Sequence, residues 1–138
     1  FNTVLESDLS LLELLKDKLS KFLTGKIKEI NPILMGLHEI AANAIEHGNQ
    51  FNKSKQVKIE LVVRENYIRL SVTDEGDGFD WKSFLKKEID LQDFTDRGRG
   101  LTITKRCFDE VRFNNSGNHI NLIKFRGDKS ENNETDQK

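Results

Sequence analysis

The sequence predicts a two-layer α/β sandwich, with a mixed, mostly antiparallel sheet and helices on one face, and two observations carry that reading. Two apolar stripes repeat at helical spacing in the first third of the chain, and two pairs of β-rich runs follow, each joined by a short polar turn. At 138 residues the chain is long enough to bury the core of such a sandwich as one domain.

Residues 2–5 form a short first strand. Leu11, Leu12, Leu15, Leu19, Phe22 and Leu23 then recur on one face of an amphipathic helix, with lysines between them. Asn31 followed by Pro32 reads as an N-cap with proline at the first helical position. Ile33, Leu34, Leu37, Ile40, Ala41, Ala44 and Ile45 make that helix's apolar stripe, which should face the sheet, and Gly48 closes it. Residues 56–63 and 67–73 pair as an antiparallel hairpin around Arg64, Glu65 and Asn66. In the second of these runs Ile68, Leu70 and Val72 alternate with Arg69, Ser71 and Thr73, so one face is core.

Residues 78–98 are polar apart from Phe79, Trp81, Phe84 and Leu85, which predict one short helix; residues 86–97 read as a lid. A helix over 100–108 and a second hairpin, 110–113 with 119–125 around residues 114–117, complete the domain at 1–126. The tail at 127–138 has no aromatic or branched aliphatic residue and is expected to be disordered.

Composition narrows the function. Lysine plus arginine number 22 against 23 aspartate plus glutamate, so no basic surface for a nucleic acid is expected. Cys107 is the single cysteine and has no partner for an internal disulfide. No apolar run is long enough to span a membrane, and a soluble, cytoplasmic protein is the expectation. Residue 1 is Phe and the only methionine is Met35, which reads as a trimmed protein or an excised domain. His38, His47 and His119 have no zinc-like spacing.

Three segments carry chemistry. In Glu39-Ile-Ala-Ala-Asn43-Ala, a carboxylate and a carboxamide one helical turn apart project from one face. The asparagine carbonyl oxygen is a hard ligand suited to magnesium, and the carboxylate can orient or deprotonate an attacking hydroxyl. Two polar residues on a solvated helix face would look the same. In Asp74-Glu-Gly76-Asp-Gly78-Phe79, an acceptor at a strand end is followed by glycines that can turn left-handed and bring backbone close to a flat ring. Such a carboxylate can accept from adenine's exocyclic amine, although an acidic turn has the same composition. A calcium loop starting at Asp74 would need glycine where Phe79 stands and glutamate where Leu85 stands. In Arg97-Gly98-Arg99-Gly100-Leu101, backbone amides at a helix start would meet a phosphate, or the glycines simply cap the helix. The segment is neither a P-loop nor a complete dinucleotide fingerprint.

With these segments in this order, residues 5–125 resemble the GHKL (Bergerat-type) ATP-binding superfamily. Glu39-x-x-x-Asn43-Ala is similar to its N box, Asp74-x-Gly76-x-Gly78-Phe79 to its first glycine box, and Gly98-x-Gly100-Leu101 to its second. The short lid, His47-Gly48, the Gly-Arg-Gly-Leu box and Phe108-Asp109-Glu110-Val111 resemble the anti-sigma factor serine kinases in particular.

That resemblance implies a protein that binds Mg-ATP and phosphorylates a serine of an anti-sigma factor antagonist. It would switch between that antagonist and a sigma factor; proteins of the branch are commonly homodimers. It implies Glu39 as general base, Asn43 as Mg2+ ligand, Asp74 as adenine acceptor, and Gly76 and Gly78 as ring-facing backbone. Gly98, Arg99, Gly100 and Leu101 would form the phosphate loop. The charge near the lid end falls to Arg97 or Arg99. The family's final hairpin often carries Gly-Thr, where this chain has Gly117-Asn118, so Asn118 or Thr73 would support the adenine pocket. A non-catalytic ATP-binding regulator and an ATP-binding domain of a larger sensor are the competing readings.

Overall fold

Alternation of apolar and polar residues sets the sheet. The computed structural model describes residues 1–76, 107–114 and 118–126. Five strands form within them: β1 (Asn2–Glu6), β2 (Gln56–Val63), β3 (Tyr67–Thr73), β4 (Glu110–Phe113) and β5 (His119–Phe125), in the order β1-β2-β3-β5-β4. All four pairings among the described residues are antiparallel, so the mixed part of the expected sheet has no counterpart among them. Leu61 lies opposite Leu70 and Leu70 opposite Leu122, while Ile59 lies opposite Val72 and Val72 opposite Ile120. These rows are buried and form the sheet side of the core.

Two helices cover that face. Leu12, Leu15, Leu19 and Leu23 are the buried side of α1 (Leu12–Leu23), which a single 3₁₀ turn at Leu9–Leu11 precedes. Ile33, Leu37, Ile40 and Ala41 are the buried side of α2 (Asn31–Asn43). Helices this short are marginal alone; burying each such leucine or isoleucine stabilises by about 1.5–3 kcal/mol, so packing rather than propensity holds them. Gly36 sits where α2 meets the sheet, because a Cβ there would come within 2.9 Å of Phe108 Cζ and 3.1 Å of Leu122 Cδ1. The buried Phe108 ring nests on that bare patch of helix.

Two details differ from expectation. The cap of α2 is Ile30, with no side-chain hydrogen bond, and Asn31 is already helical. The Leu34 amide reaches back to the Ile30 carbonyl (3.0 Å), which adds one residue to the helix before Pro32. At its other end α2 widens into a π-helical turn, Ala44–Gly48, closed by the Asn49 amide on the Ala44 carbonyl (2.8 Å).

The sheet's other face is polar near β3 and β5. Thr73 Oγ1 and His119 Nδ1 share a hydrogen bond of 2.6 Å, the Asn121 amide meets His119 Nε2 at 3.2 Å, and the Ser71 hydroxyl donates to Asn121. No described helix is long and apolar enough to cross a membrane. The expected short helix near Trp81, the lid at 86–97, the helix at 100–108 before Cys107, and the tail at 127–138 lie outside the described residues.

Candidate functional site

The site lies where the end of α2 meets the end of β3. Asn43 is the last residue of α2 and is wholly buried at 0% exposure, while Glu39, one turn earlier, is half-buried. The solvated-face alternative therefore fails for Asn43. A carboxamide at that depth must be satisfied by specific partners rather than by bulk water.

Asp74 follows the last residue of β3 and is 4% exposed. Its backbone amide donates to the Asn118 carbonyl (2.9 Å), extending the β3/β5 ladder by one bond. Its Oδ1 accepts from the Gly76 amide (2.8 Å), the local closure typical of an aspartate turn. Burial pushes the Asp74 carboxyl above its ordinary value of 3.8, opposed by the Gly76 N–H and by the positive charge of Lys55. A carboxylate held there at cost is a functional-site signature when it borders a cleft.

Two glycines wall it in. A Cβ on Gly48 would stand 2.8 Å from Asp74 Oδ1 and closer still to the rest of the carboxylate. A Cβ on Gly76 would lie 2.6 Å from the Gly48 carbonyl carbon and collide with its oxygen. Among the described glycines only Gly25 has a left-handed φ, so Gly76 is needed for space and not for the left-handed geometry the sequence invited. Gly76→Ala would drive side chain into backbone at a place where neither partner can rotate away. We expect a loss of about 1–3 kcal/mol, from overpacking of this kind, read as a lowered denaturant midpoint with unchanged slope.

The two proposed stand-ins for the missing threonine resolve differently. Thr73 shares the strand parity of Ser71 and Arg69, and its hydroxyl is engaged by His119 on the sheet face away from α2. Val72 beside it holds the core-facing position. Asn118 does touch Asp74, but through its backbone carbonyl; its side-chain oxygen accepts from Asn114 Nδ2 (2.7 Å) across the hairpin mouth.

Sequence reasoning missed two contributors. Gly48, in sequence a helix end and part of the family resemblance, presses its flank on the Asp74 carboxylate. Asn49, 1% exposed, stands outside every motif. Its Oδ1 accepts from the Glu75 amide (2.8 Å), and its Nδ2 donates to Ser7 Oγ (2.9 Å) and to the Gln56 carbonyl (3.0 Å). No periodicity or motif in one sequence marks such a residue. The structure thus brings Asp74 and Gly76 together beside the end of the helix that carries Glu39 and Asn43. Gly78, Arg97, Gly98, Arg99, Gly100 and Leu101 lie outside the described residues.

Comparison with known proteins identifies the family. The family description "Histidine kinase-like ATPase domain" matches residues 6–124. Serine-protein kinase RsbW of Bacillus subtilis (strain 168) is 32% identical over 107 residues, which cover 70% of this chain and 65% of that protein. RsbW of Bacillus licheniformis is 27% identical over 104 residues, with the same 70% and 65% coverage. The anti-sigma F factor of Bacillus thuringiensis (strain Al Hakam) is 32% identical over 108 residues, covering 72% of this chain and 71% of that protein. The match to the RsbW relatives therefore spans about 65% of their length.

Proposed function

Because the chain belongs to the histidine kinase-like ATPase domain family, on the branch of the anti-sigma factor serine kinases, we propose that it is an ATP-dependent serine kinase and anti-sigma factor. It phosphorylates an antagonist domain and exchanges that antagonist for a sigma factor. The single observation that carries the reading is the Asp74 carboxylate, buried against the bare backbone of Gly48 and Gly76 at the foot of the helix bearing Glu39 and Asn43.

The residues fit the group they are proposed to hold. An acceptor in a wall without side chains suits a flat ring whose edge presents an N–H, and Asp74 would take that hydrogen bond from the exocyclic amine of adenine. The buried Asn43 offers a hard carboxamide oxygen that can ligate magnesium beside the nucleotide's phosphates, one helical turn from Glu39. When bound, Mg-ATP supplies the transferable phosphoryl group and the positive charge that stabilises it. Glu39 then accepts the proton of the attacking serine hydroxyl. Its place on α2, one turn before Asn43, holds the carboxylate half-buried at a fixed height on the helix.

The test runs in two steps. Calorimetric titration with Mg-ATP should give saturable binding, and γ-labelled ATP should then place label on a serine of an antagonist domain encoded in the same genome. Tight ATP binding with no label on any such domain would overturn the kinase assignment and leave a regulator that uses the nucleotide only to choose partners.

A further inference from the structure

We infer that Asn49 is the positioning residue that fixes Asp74 for reading the adenine amine, and that it thereby sets discrimination against 6-oxo purines. The inference rests on the proposed role of Asp74 and extends it to a residue outside all three motifs.

The geometry is specific. Asn49 follows Gly48, whose flank meets the Asp74 carboxylate, and its Oδ1 holds the amide of Glu75, the residue after Asp74. One side chain therefore grips both backbones between which the carboxylate is held. Its other end is anchored twice: Nδ2 donates to the Gln56 carbonyl at the start of β2 and to Ser7 Oγ just beyond β1. Ser7, itself 1% exposed, donates onward to the Lys55 carbonyl (2.6 Å). Glu75 returns to the same anchor, its Oε2 accepting from the Gln56 amide (3.1 Å). The carboxamide has no alternative orientation, since a carbonyl can only accept and a backbone N–H can only donate.

A buried amide satisfied on both ends locks four chain segments into one arrangement. Among the described residues, the carboxylate it locates accepts a single local bond, from Gly76. Loosening Asn49 would let Asp74 drift by a fraction of an ångström, enough to spoil a hydrogen bond to a ring edge while leaving the fold in place.

The discriminating measurement is the affinity ratio of ATP to inosine triphosphate, which replaces the exocyclic amine with a carbonyl and puts a hydrogen on the neighbouring ring nitrogen, so donor and acceptor exchange places along that edge. Rejection of a ligand lacking the matching group should be about 10- to 100-fold in the wild-type protein. In Asn49→Ala the ratio should fall about tenfold toward unity, mostly through weaker ATP binding. Ser7→Ala removes one anchor and should lower the ratio about threefold. If Asn49→Ala loses its circular dichroism signal, Ser7→Ala decides alone. Folded variants that melt earlier but keep the wild-type ratio would overturn the inference and make Asn49 a brace only. A wild-type protein that binds ATP and inosine triphosphate equally would overturn the assignment of Asp74 itself, and this inference with it.

Discussion

Asp74→Asn is expected to weaken ATP binding about 100-fold or more, since an amide N–H₂ facing the adenine amine sets donor against donor, while making the nucleotide-free protein more stable at neutral pH. The two effects share one cause. Burial raises the Asp74 carboxyl above 3.8, so the folded protein binds that proton more tightly than the unfolded chain does. Stability from this group is fully present below 3.8 and is lost as the pH climbs through the raised folded value. Asparagine keeps the Oδ1 that accepts from Gly76 and never ionises. Its advantage should therefore be small at pH 4 and grow by pH 7, each 1 kcal/mol gained being read as roughly 2–4 °C in Tm for a chain of this size. Calorimetric binding with thermal melts at both pH values reads the two effects separately. A mutant that binds ATP normally, or melts earlier at pH 7 than at pH 4 relative to wild type, would contradict the account.

Glu39→Gln should lose phosphoryl transfer about 100- to 10,000-fold, the range that a positioned general base supplies, with ATP affinity kept within about threefold. Glutamine matches the volume, hydrogen-bonding reach and helix propensity of glutamate, so α2 and its buried stripe should be undisturbed. What disappears is basicity. Single-turnover transfer of labelled phosphate, at saturating ATP and antagonist, isolates that step from binding. Transfer at the wild-type rate would place the base elsewhere. Loss of ATP binding instead of transfer would make Glu39 part of the nucleotide pocket rather than of the chemistry.

Both predictions concern residues that the sequence itself offered, and the reason is physical. Glu39 and Asn43 lie in the last turns of α2 and Asp74 just past β3, elements whose periodicity is strong: the stripe through Ile33, Leu37 and Ile40 fixes α2, and the alternation of Ile68, Leu70 and Val72 ends β3 at Thr73. The bounds of β2, β4 and β5 were legible as β-rich runs flanking short polar turns. For Thr73 two signals competed: the family pattern offered it to the adenine pocket, while its strand parity puts it with Ser71 and Arg69, and its hydroxyl meets His119. What stayed hidden depends on contacts between distant residues. Asn49 meets Ser7 across 42 positions and Glu75 across 26, and no local pattern encodes either bond. Gly76 carried the right residue type for an unexpected reason, because the collision it avoids is with a different helix. The start of α2 moved by one residue because backbone bonding, not the side chain of Asn31, closes its first turn.

The π-helical turn at Ala44–Gly48 has a consequence for phase. A continuous α-helix advances by about 100° per residue, so the direction in which Gly48 and Asn49 face would be dictated by where Glu39 and Asn43 face. A wider turn holds one more residue than an α-turn and breaks that dependence. Upstream of the break the helix aims the pair proposed for catalysis, and downstream it aims the backbone that presses on Asp74. The turn acts as a coupling with an offset, letting two functions that share one rod be set at independent angles.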